Sequence, residues 1–167
     1  MKLVGLILIL LTLVPRGGVA EEPVILTVSG NILWQGQPHE RLDYTLKELQ
    51  AMPQRVITTS HPWGQQPHTY RGPDLVALMS SLFGHARIKT LYLEALNGYS
   101  ISVDWQKLAP FQPVLAWQEN GRVMSRREKG PLWLVLPFDQ VPELQQADFL
   151  HFMTWQLRQI KVHTEPM

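Results

Sequence analysis

The sequence predicts an α+β domain: a mixed, strongly curved, barrel-like β-sheet with two to three short helices. Three observations lead to this fold class. Short apolar runs alternate with polar residues, which is typical of half-buried strands. Two Asn-Gly pairs, Asn97-Gly98 and Asn120-Gly121, are strong signals for β-hairpin turns. Strands and helices do not alternate regularly, so a parallel sheet built from βαβ units is not expected.

The N-terminal 20 residues resemble a secretory signal peptide. Lys2 precedes an apolar run over residues 3–14, and small residues follow up to Ala20. The run is shorter than the roughly 20 residues that span a bilayer. We expect cleavage near Ala20 and a periplasmic or secreted protein, in which residues 21–167 form one domain. The alternative is a retained membrane anchor, since Arg16 is unusual so close to a cleavage site.

Charge and cysteine content exclude several classes of function. The chain carries 15 Lys and Arg residues against 14 Asp and Glu. Lys2 and Arg16 lie in the predicted signal peptide, so the remainder has a formal net charge of −1. A nucleic-acid-binding protein normally shows a basic excess, and we expect no nucleic-acid partner. Cysteine is absent from all 167 residues, which removes disulfides and thiolate metal ligands.

The helices are predicted from their end signals. Thr45 and Glu48 have the spacing of a capping box, and Pro53 ends the first helix. Asp74 caps a second helix with one apolar face, and Gly84 follows its last turn. Residues 142–148 predict a third, short helix. The predicted strands cover residues 25–29, 32–34, 56–59, 91–95, 101–105, 113–117, 123–124, 132–136 and 153–162.

Three details of these strands are further predictions. Gly30-Asn31 is expected to turn the first strand into the second, with residues 35–38 as a loop. The continuous apolar run 132–136 is expected to be a central strand. The side-chain phase changes near residues 158–159, which suggests a β-bulge.

The segment 56–64 is the candidate functional region, because a β-prone run stops at Ser60 and opens into a loop rich in polar and aromatic residues. His61 and His68 in this loop suggest a metal site, but no compact ligand motif accompanies them. Ser60 beside His61 suggests hydrolysis, yet neighbouring strand residues point to opposite faces. Trp63, among prolines and glycines, is a candidate stacking surface.

A basic patch is a further candidate for binding. Arginine guanidinium groups match the geometry of carboxylate and phosphate anions. The alternative is an ordinary solvated loop. The basic side chains of this patch are Arg122, Arg126, Arg127 and Lys129.

The order of several segments resembles the oxidoreductase molybdopterin-binding domain, the fold of sulfite oxidase, over most of residues 24–163. The most specific pieces are NGY at 97–99 and GPLWLVLP at 130–137. A segment REKGPLW at 127–133 is similar to one in short exported members of that family. The other matching segments are LTVSG at 26–30, YTLKEL at 44–49, YRGPDL at 70–75, LAW at 115–117 with Asn120-Gly121, and WQLRQI at 155–160.

The resemblance implies a molybdenum-binding cysteine in the region Thr58 to His61, where this chain has none. A basic, histidine-bearing segment for the pterin phosphate is also missing. Trp133 and Thr154 replace an arginine and a lysine that are common in the family. These departures fall on cofactor contacts, so we expect no catalytic residues and no metal ligands, with molybdopterin entering only through the family resemblance.

The resulting hypothesis is a periplasmic, non-catalytic module that binds a small ligand or a membrane-bound sensor or envelope protein. One alternative is a molybdopterin-dependent oxidoreductase with a non-cysteine ligand, for which Ser60 or His61 is the candidate. Another is a structural subunit of an envelope complex. The predicted ligand-binding residues are Ser60, His61, Trp63, Tyr70, Asn97, Tyr99, Arg127 and Lys129.

Overall fold

The computed structural model describes residues 21–145 and 147–165. The predicted signal peptide, residues 1–20, lies outside the described residues. The strands are β1 Val24–Trp34, β2 Gln37–Thr45, β3 Gln54–His61, β4 Gly64–Pro73, β5 Ile88–Ala95, β6 Ser100–Asp104, β7 Val114–Ala116, β8 Gln118–Glu119, β9 Arg122–Val123, β10 Trp133–Val135 and β11 Leu157–Thr164. The helices are α1 Leu46–Ala51, α2 Leu75–Phe83, α3 Trp105–Leu108 and α4 Ala147–Leu150, with 3₁₀ turns at Ala109–Phe111 and Pro142–Gln145.

A five-stranded sheet forms the base of the domain, in the order β2-β1-β11-β5-β6. It is mixed, because β1 and β11 run parallel while the other neighbours are antiparallel. Leu26, Val28, Leu93, Val103 and Ile160 are buried along its strands. Helix α2 packs against β1 and buries one apolar face, as its spacing predicts.

Two smaller sheets complete the architecture. Strands β7 and β10 form a two-stranded ribbon in which every residue is buried. Strands β3, β4, β8 and β9 form a four-stranded antiparallel sheet. The strands of the described residues therefore form three separate sheets and no closed barrel, so the barrel-like prediction is not supported. The run 132–136 is buried as expected, but its strand belongs to the short ribbon rather than to the centre of the large sheet.

Several local predictions are confirmed. The Thr45 side chain accepts from the Glu48 amide and Glu48 bonds back, which completes the capping box of α1. Asp74 caps α2, and Gly84 follows it with a positive φ of 54°. Asn97 and Gly98 connect β5 to β6. The register of β11 shifts between Leu157 and Gln159, where the bulge is predicted.

Other local predictions are wrong, and each for a physical reason. β1 continues through Gly30 and Asn31 as one strand, because a register shift between Ser29 and Ile32 absorbs the irregularity. The hairpin turn lies instead at Gln35-Gly36, where both residues have positive φ. Trp105 begins α3, because Asp104 caps that turn by accepting from the Gln106 amide.

The expected loop after Ser60 is also a β-structure. β3 runs to His61, Pro62 and Trp63 form the turn, and β4 begins at Gly64. The polar residues of β4 are typical of a loop, so the sequence alone does not predict a strand there. Pairing with neighbouring strands, rather than the β-propensity of these residues, stabilises β4. Among the described residues, no helix has the length and apolar character needed to cross a membrane.

Candidate functional site

Five polar side chains meet between the four-stranded sheet and the β7–β10 ribbon. We call them the polar cluster: His61, His68, Tyr70, Glu119 and Lys129. They come from β3, β4, β8 and the segment before β10. Residues far apart in sequence thus converge near His61, at the end of β3 and within the candidate functional region 56–64.

Strand pairing brings the first four members together. His68 and Tyr70 are two residues apart on β4, so their side chains share a face. Tyr70 lies directly opposite Glu119 on β8, which places the carboxylate beside the phenol. The His61 ring packs directly against Gly64, since an added Cβ at Gly64 would lie 2.7 Å from the ring carbon Cε1.

Lys129 is held in place by the backbone around it. Its carbonyl accepts from the Gln156 amide at 2.7 Å, and the Gly130 amide donates to the Ser125 carbonyl at 2.9 Å. Gly130 packs so closely that a Cβ there would lie 2.3 Å from the Met124 carbonyl oxygen. The glycine after Lys129 therefore permits the chain path that directs the ammonium group into the cluster.

Glu119 is the centre of the polar cluster. One carboxylate oxygen, Oε1, lies 2.7 Å from Nδ1 of His68, 2.9 Å from the Tyr70 hydroxyl and 3.3 Å from Nζ of Lys129. Partial burial alone would raise the pKa of Glu119, but hydrogen bonds from His68 and Tyr70 and the Lys129 charge outweigh it, so that pKa is lowered. Burial and the carboxylate together raise the pKa of Tyr70 far above its usual range. Tyr70 thus acts as a hydrogen-bond donor.

His61 is buried, with 4% of its surface exposed. Its ring lies edge-on to Trp133 at 5.1 Å between centroids, and Nε2 is 3.3 Å from Nζ of Lys129. The Trp63 amide donates to Nδ1 at 3.2 Å. Burial and the nearby positive charge of Lys129 lower the pKa of His61. The imidazole is therefore neutral at neutral pH.

The lowered pKa of His61 predicts a pH-dependent stability. The folded state binds a proton at His61 less readily than the unfolded chain, whose histidines titrate near 6.5. The free energy of unfolding should be fully present above about pH 6.5 and should fall as pH drops toward 5, by at most about 1.4 kcal/mol per pH unit. Urea titrations in chelator-treated buffer at pH 5.0 and 7.5 measure this. The dependence should flatten in His61→Gln, and an equally steep dependence in that variant would contradict the assignment.

Ser60 lies apart from the polar cluster. Its hydroxyl hydrogen-bonds to the Asp139 carboxylate, while the Asp139 amide donates to the Thr59 hydroxyl at 3.0 Å. Within the described residues, no hydrogen bond joins Ser60 to His61. The serine–histidine pair therefore lacks the geometry of an activated nucleophile, in agreement with the strand argument.

A small groove with aromatic walls opens beside the cluster. We call it the aromatic groove, and its volume is about 240 Å³. Trp63 stands 49% exposed on its rim and contacts Trp155 at 5.4 Å between ring centroids. The same Trp63 ring lies 5.9 Å from His61, so groove and cluster are neighbours. The groove is lined by Trp63, Asn97, Tyr99, Leu150, His151, Met153, Thr154 and Trp155.

Thr154 gives the groove an unusual polar group. The residue is 3% exposed, and its hydroxyl has no hydrogen-bond partner among the described residues. A buried hydroxyl without a partner costs free energy, roughly 1–3 kcal/mol, so such groups are uncommon. Thr154 is also one of the residues that line the aromatic groove, and its hydroxyl has unused hydrogen-bonding capacity.

The predicted binding residues divide into separate groups. His61, Tyr70 and Lys129 lie in the polar cluster, whereas Trp63, Asn97 and Tyr99 line the aromatic groove. Asn97 shapes its turn by accepting from the Tyr99 amide at 2.9 Å. Ser60 joins Asp139, and the side chain of Arg127 is solvent-exposed away from both sites.

Three residues of the site were missed from sequence. Glu119 precedes the Asn120-Gly121 turn, and a single acidic residue beside a hairpin turn does not indicate a functional role. Asp139 lies in a loop between predicted elements. Thr154 was noted only as a departure from the family, and its missing hydrogen-bond partner is visible only in three dimensions.

Comparison with known proteins informs the fold. No protein-family model matches the chain, and no curated protein matches it. A solved structure, the sulfane dehydrogenase SoxCD from Paracoccus pantotrophus, superposes with a TM-score of 0.61 at 20% sequence identity. The match covers 83% of this chain. The fold is sulfite-oxidase-like. This chain spans only 37% of the matched one, so the likeness is to a part of that protein.

The residues Thr58–His61, where the sequence resemblance implies a cysteine, do not fit a thiolate-bound molybdenum. The Thr58 hydroxyl shares a hydrogen bond with the Thr69 hydroxyl at 3.0 Å. The hydroxyls of Thr59 and Ser60 both hydrogen-bond to Asp139, the first to its amide and the second to its carboxylate. Nε2 of His61 faces the Lys129 ammonium at 3.3 Å. The segment offers no thiolate or other soft donor.

Proposed function

We propose that this chain is an exported, non-catalytic module that binds a small ligand in the aromatic groove. The observation that carries the proposal is the unpartnered, buried hydroxyl of Thr154, a residue that lines a groove with aromatic walls. Ligand sites are typically apolar clefts with a few polar groups that fix orientation. The donor set at Thr58–His61 supports the non-catalytic part of the proposal, because it lacks the family's metal ligand.

The groove defines the class of ligand. Its volume, about 240 Å³, lies below the 300–1,000 Å³ that is typical of drug-sized ligands. Two indole rings favour a flat apolar or aromatic group, and Thr154 favours one hydroxyl or similar polar atom on it. The occupant is thus about the size of a single aromatic ring with a polar substituent.

Periplasmic location and a membrane-bound sensor or envelope protein as partner belong to the same proposal. The predicted signal peptide supports export, and the rim of the groove supports partner contact. Trp63 and Tyr99 are 49% and 42% exposed there. Exposed aromatic side chains are enriched at protein interfaces.

Benzyl alcohol and toluene together test the groove, since they differ only in the hydroxyl. In ¹H–¹⁵N NMR spectra of the protein, benzyl alcohol should shift the indole N–H signals of Trp63 and Trp155 with millimolar affinity, and toluene should bind more weakly. Trp63→Ala should abolish the shifts. Tyr92→Ala, which removes a partly exposed aromatic residue on β5, should retain them.

Thr154→Val tests the contribution of the hydroxyl to ligand binding separately from that of the side-chain shape. Valine has nearly the same size, so the preference for benzyl alcohol over toluene should disappear while toluene still binds. The variant should also gain about 1 kcal/mol of stability, because the unpartnered hydroxyl is removed. No shift at either indole, or shifts spread evenly over all six tryptophans, would refute the proposed groove.

A further inference from the structure

We infer that His61, His68 and Glu119 form a binding site for a divalent transition metal ion, which the Lys129 ammonium occupies in the metal-free protein. The three side chains each offer one ligand atom, and these atoms all lie within 4.8 Å of one another. Two imidazoles and a carboxylate are the ligand set of many zinc sites with an open fourth position. The site is separate from the aromatic groove and needs none of the groove's ligand chemistry.

The three ligand atoms are farther apart than they would be on a bound ion. Zinc lies about 2.0–2.2 Å from nitrogen and oxygen ligands, so two ligand atoms on one tetrahedral ion are about 3.3–3.6 Å apart. Contraction from 4.8 Å requires each of two side chains to shift by about 0.6–0.8 Å. His61 is fixed by packing on Trp133, and strand pairing fixes the backbones of His68 and Glu119.

Lys129 shows that the cluster attracts a cation. Its Nζ lies 3.3 Å from Nε2 of His61 and 3.3 Å from Oε1 of Glu119, and 4.5 Å above the Trp133 ring. A metal ion between His61 and Glu119 must displace this ammonium. The lysine side chain is 24% exposed and flexible, so the displaced group can reach solvent.

The contacts that the metal replaces are modest. Metal at Nε2 of His61 places the proton on Nδ1, which then gives up the 3.2 Å contact from the Trp63 amide. That amide lies in the β3–β4 turn, where water can replace the histidine. The Lys129 contacts with His61 and Glu119 are lost as well. Each such bond contributes about 1 kcal/mol, or about 1.5–3 kcal/mol where a charge is involved. The micromolar affinity expected here, about 8 kcal/mol, is the net value after these losses.

Zinc titration of the untagged, full-length protein by isothermal calorimetry tests the inference. We expect one saturable site per chain with micromolar affinity. Lys129→Met should tighten zinc binding at least about tenfold, since the competing cation is gone. His68→Ala and the milder His68→Gln should each weaken zinc binding at least about tenfold. His163→Ala, which removes an exposed histidine elsewhere, should leave the affinity unchanged.

Circular dichroism shows whether each variant is folded, and His68→Gln keeps the test valid if the alanine variant is not. Zinc binding that tightens in Lys129→Met and weakens in both His68 variants supports the site. Absence of saturable binding in both the natural protein and Lys129→Met, or affinity equal in His68→Gln and the natural protein, would overturn it. The NMR titration with benzyl alcohol is a separate readout, so failure of either proposal is visible independently.

Discussion

Replacing Trp133 with alanine is expected to lower the free energy of unfolding by about 3–5 kcal/mol, the largest single effect at this site. The side chain is fully buried. It packs edge-on against His61 and Tyr70, at 5.1 and 5.2 Å between centroids, and its indole N–H donates to the Met153 carbonyl at 3.0 Å. Alanine leaves a cavity beneath the polar cluster and a carbonyl without its donor. Chemical denaturation of the variant measures the loss.

The matched control is Trp63→Ala, because Trp63 is 49% exposed on the groove rim. That change should cost less than about 1 kcal/mol. Trp133→Phe, which keeps an aromatic ring but not the indole N–H, should fall between the two. Equal stability losses for Trp133→Ala and Trp63→Ala would show that Trp133 does not support the site as described.

Removal of the Glu119 carboxylate is expected to destabilise the protein by about 2–3 kcal/mol. Three donors, from His68, Tyr70 and Lys129, converge on one oxygen of this group. Hydrogen bonds to a charged group contribute about 1.5–3 kcal/mol, and loss of the acceptor leaves a partly buried ammonium and phenol without partners. The side chain is 20% exposed, so solvent relieves part of the cost. Thermal and urea unfolding of Glu119→Ala measure the change.

Glu128→Ala provides the comparison, since Glu128 is exposed and, among the described residues, its carboxylate bonds only to the nearby Ser125 hydroxyl. Its loss should stay within about 0.5 kcal/mol. Glu119→Gln should remain destabilised, because an amide presents a donor toward Lys129 and His68. A Glu119→Ala variant as stable as Glu128→Ala would mean that the cluster contributes little to folding.

Local signals allowed much of the fold to be predicted. The capping box at Thr45, the cap at Asp74 and the turn at Asn97-Gly98 depend on a few neighbouring residues, and each is present. β4 was missed because its polar residues form a strand only through pairing with β3 and β8. Sheet closure is equally non-local, and three separate sheets replaced the expected barrel.

The candidate site shows the same division between features that local sequence patterns predict and features that depend on strand pairing. The sequence directed attention to His61, Trp63 and Lys129. His61 and Lys129 both lie against the buried Trp133, and Trp63 packs beside His61. Glu119 was not foreseen, because its role depends on the β4–β8 pairing. Arg127 was selected for its charge, but a charge alone does not determine which way a loop residue points.

The segment Thr58–His61 is committed to contacts within the protein. At the position where the resemblance implies a cysteine, Thr59 and Ser60 bond to Asp139 and His61 turns toward Lys129 and Glu119. The protein therefore has a sulfite-oxidase-like fold with a polar cluster beside an aromatic groove. In our proposal, recognition has replaced redox chemistry on this fold.

The most direct test of that claim is the molybdenum and pterin content of the protein purified from molybdenum-replete cells. Elemental analysis and cofactor extraction should find neither molybdenum nor pterin in stoichiometric amount, while benzyl alcohol still binds the aromatic groove. One molybdenum per chain, accompanied by extractable pterin, would contradict the non-catalytic account. That result would support the alternative, a molybdopterin-dependent oxidoreductase.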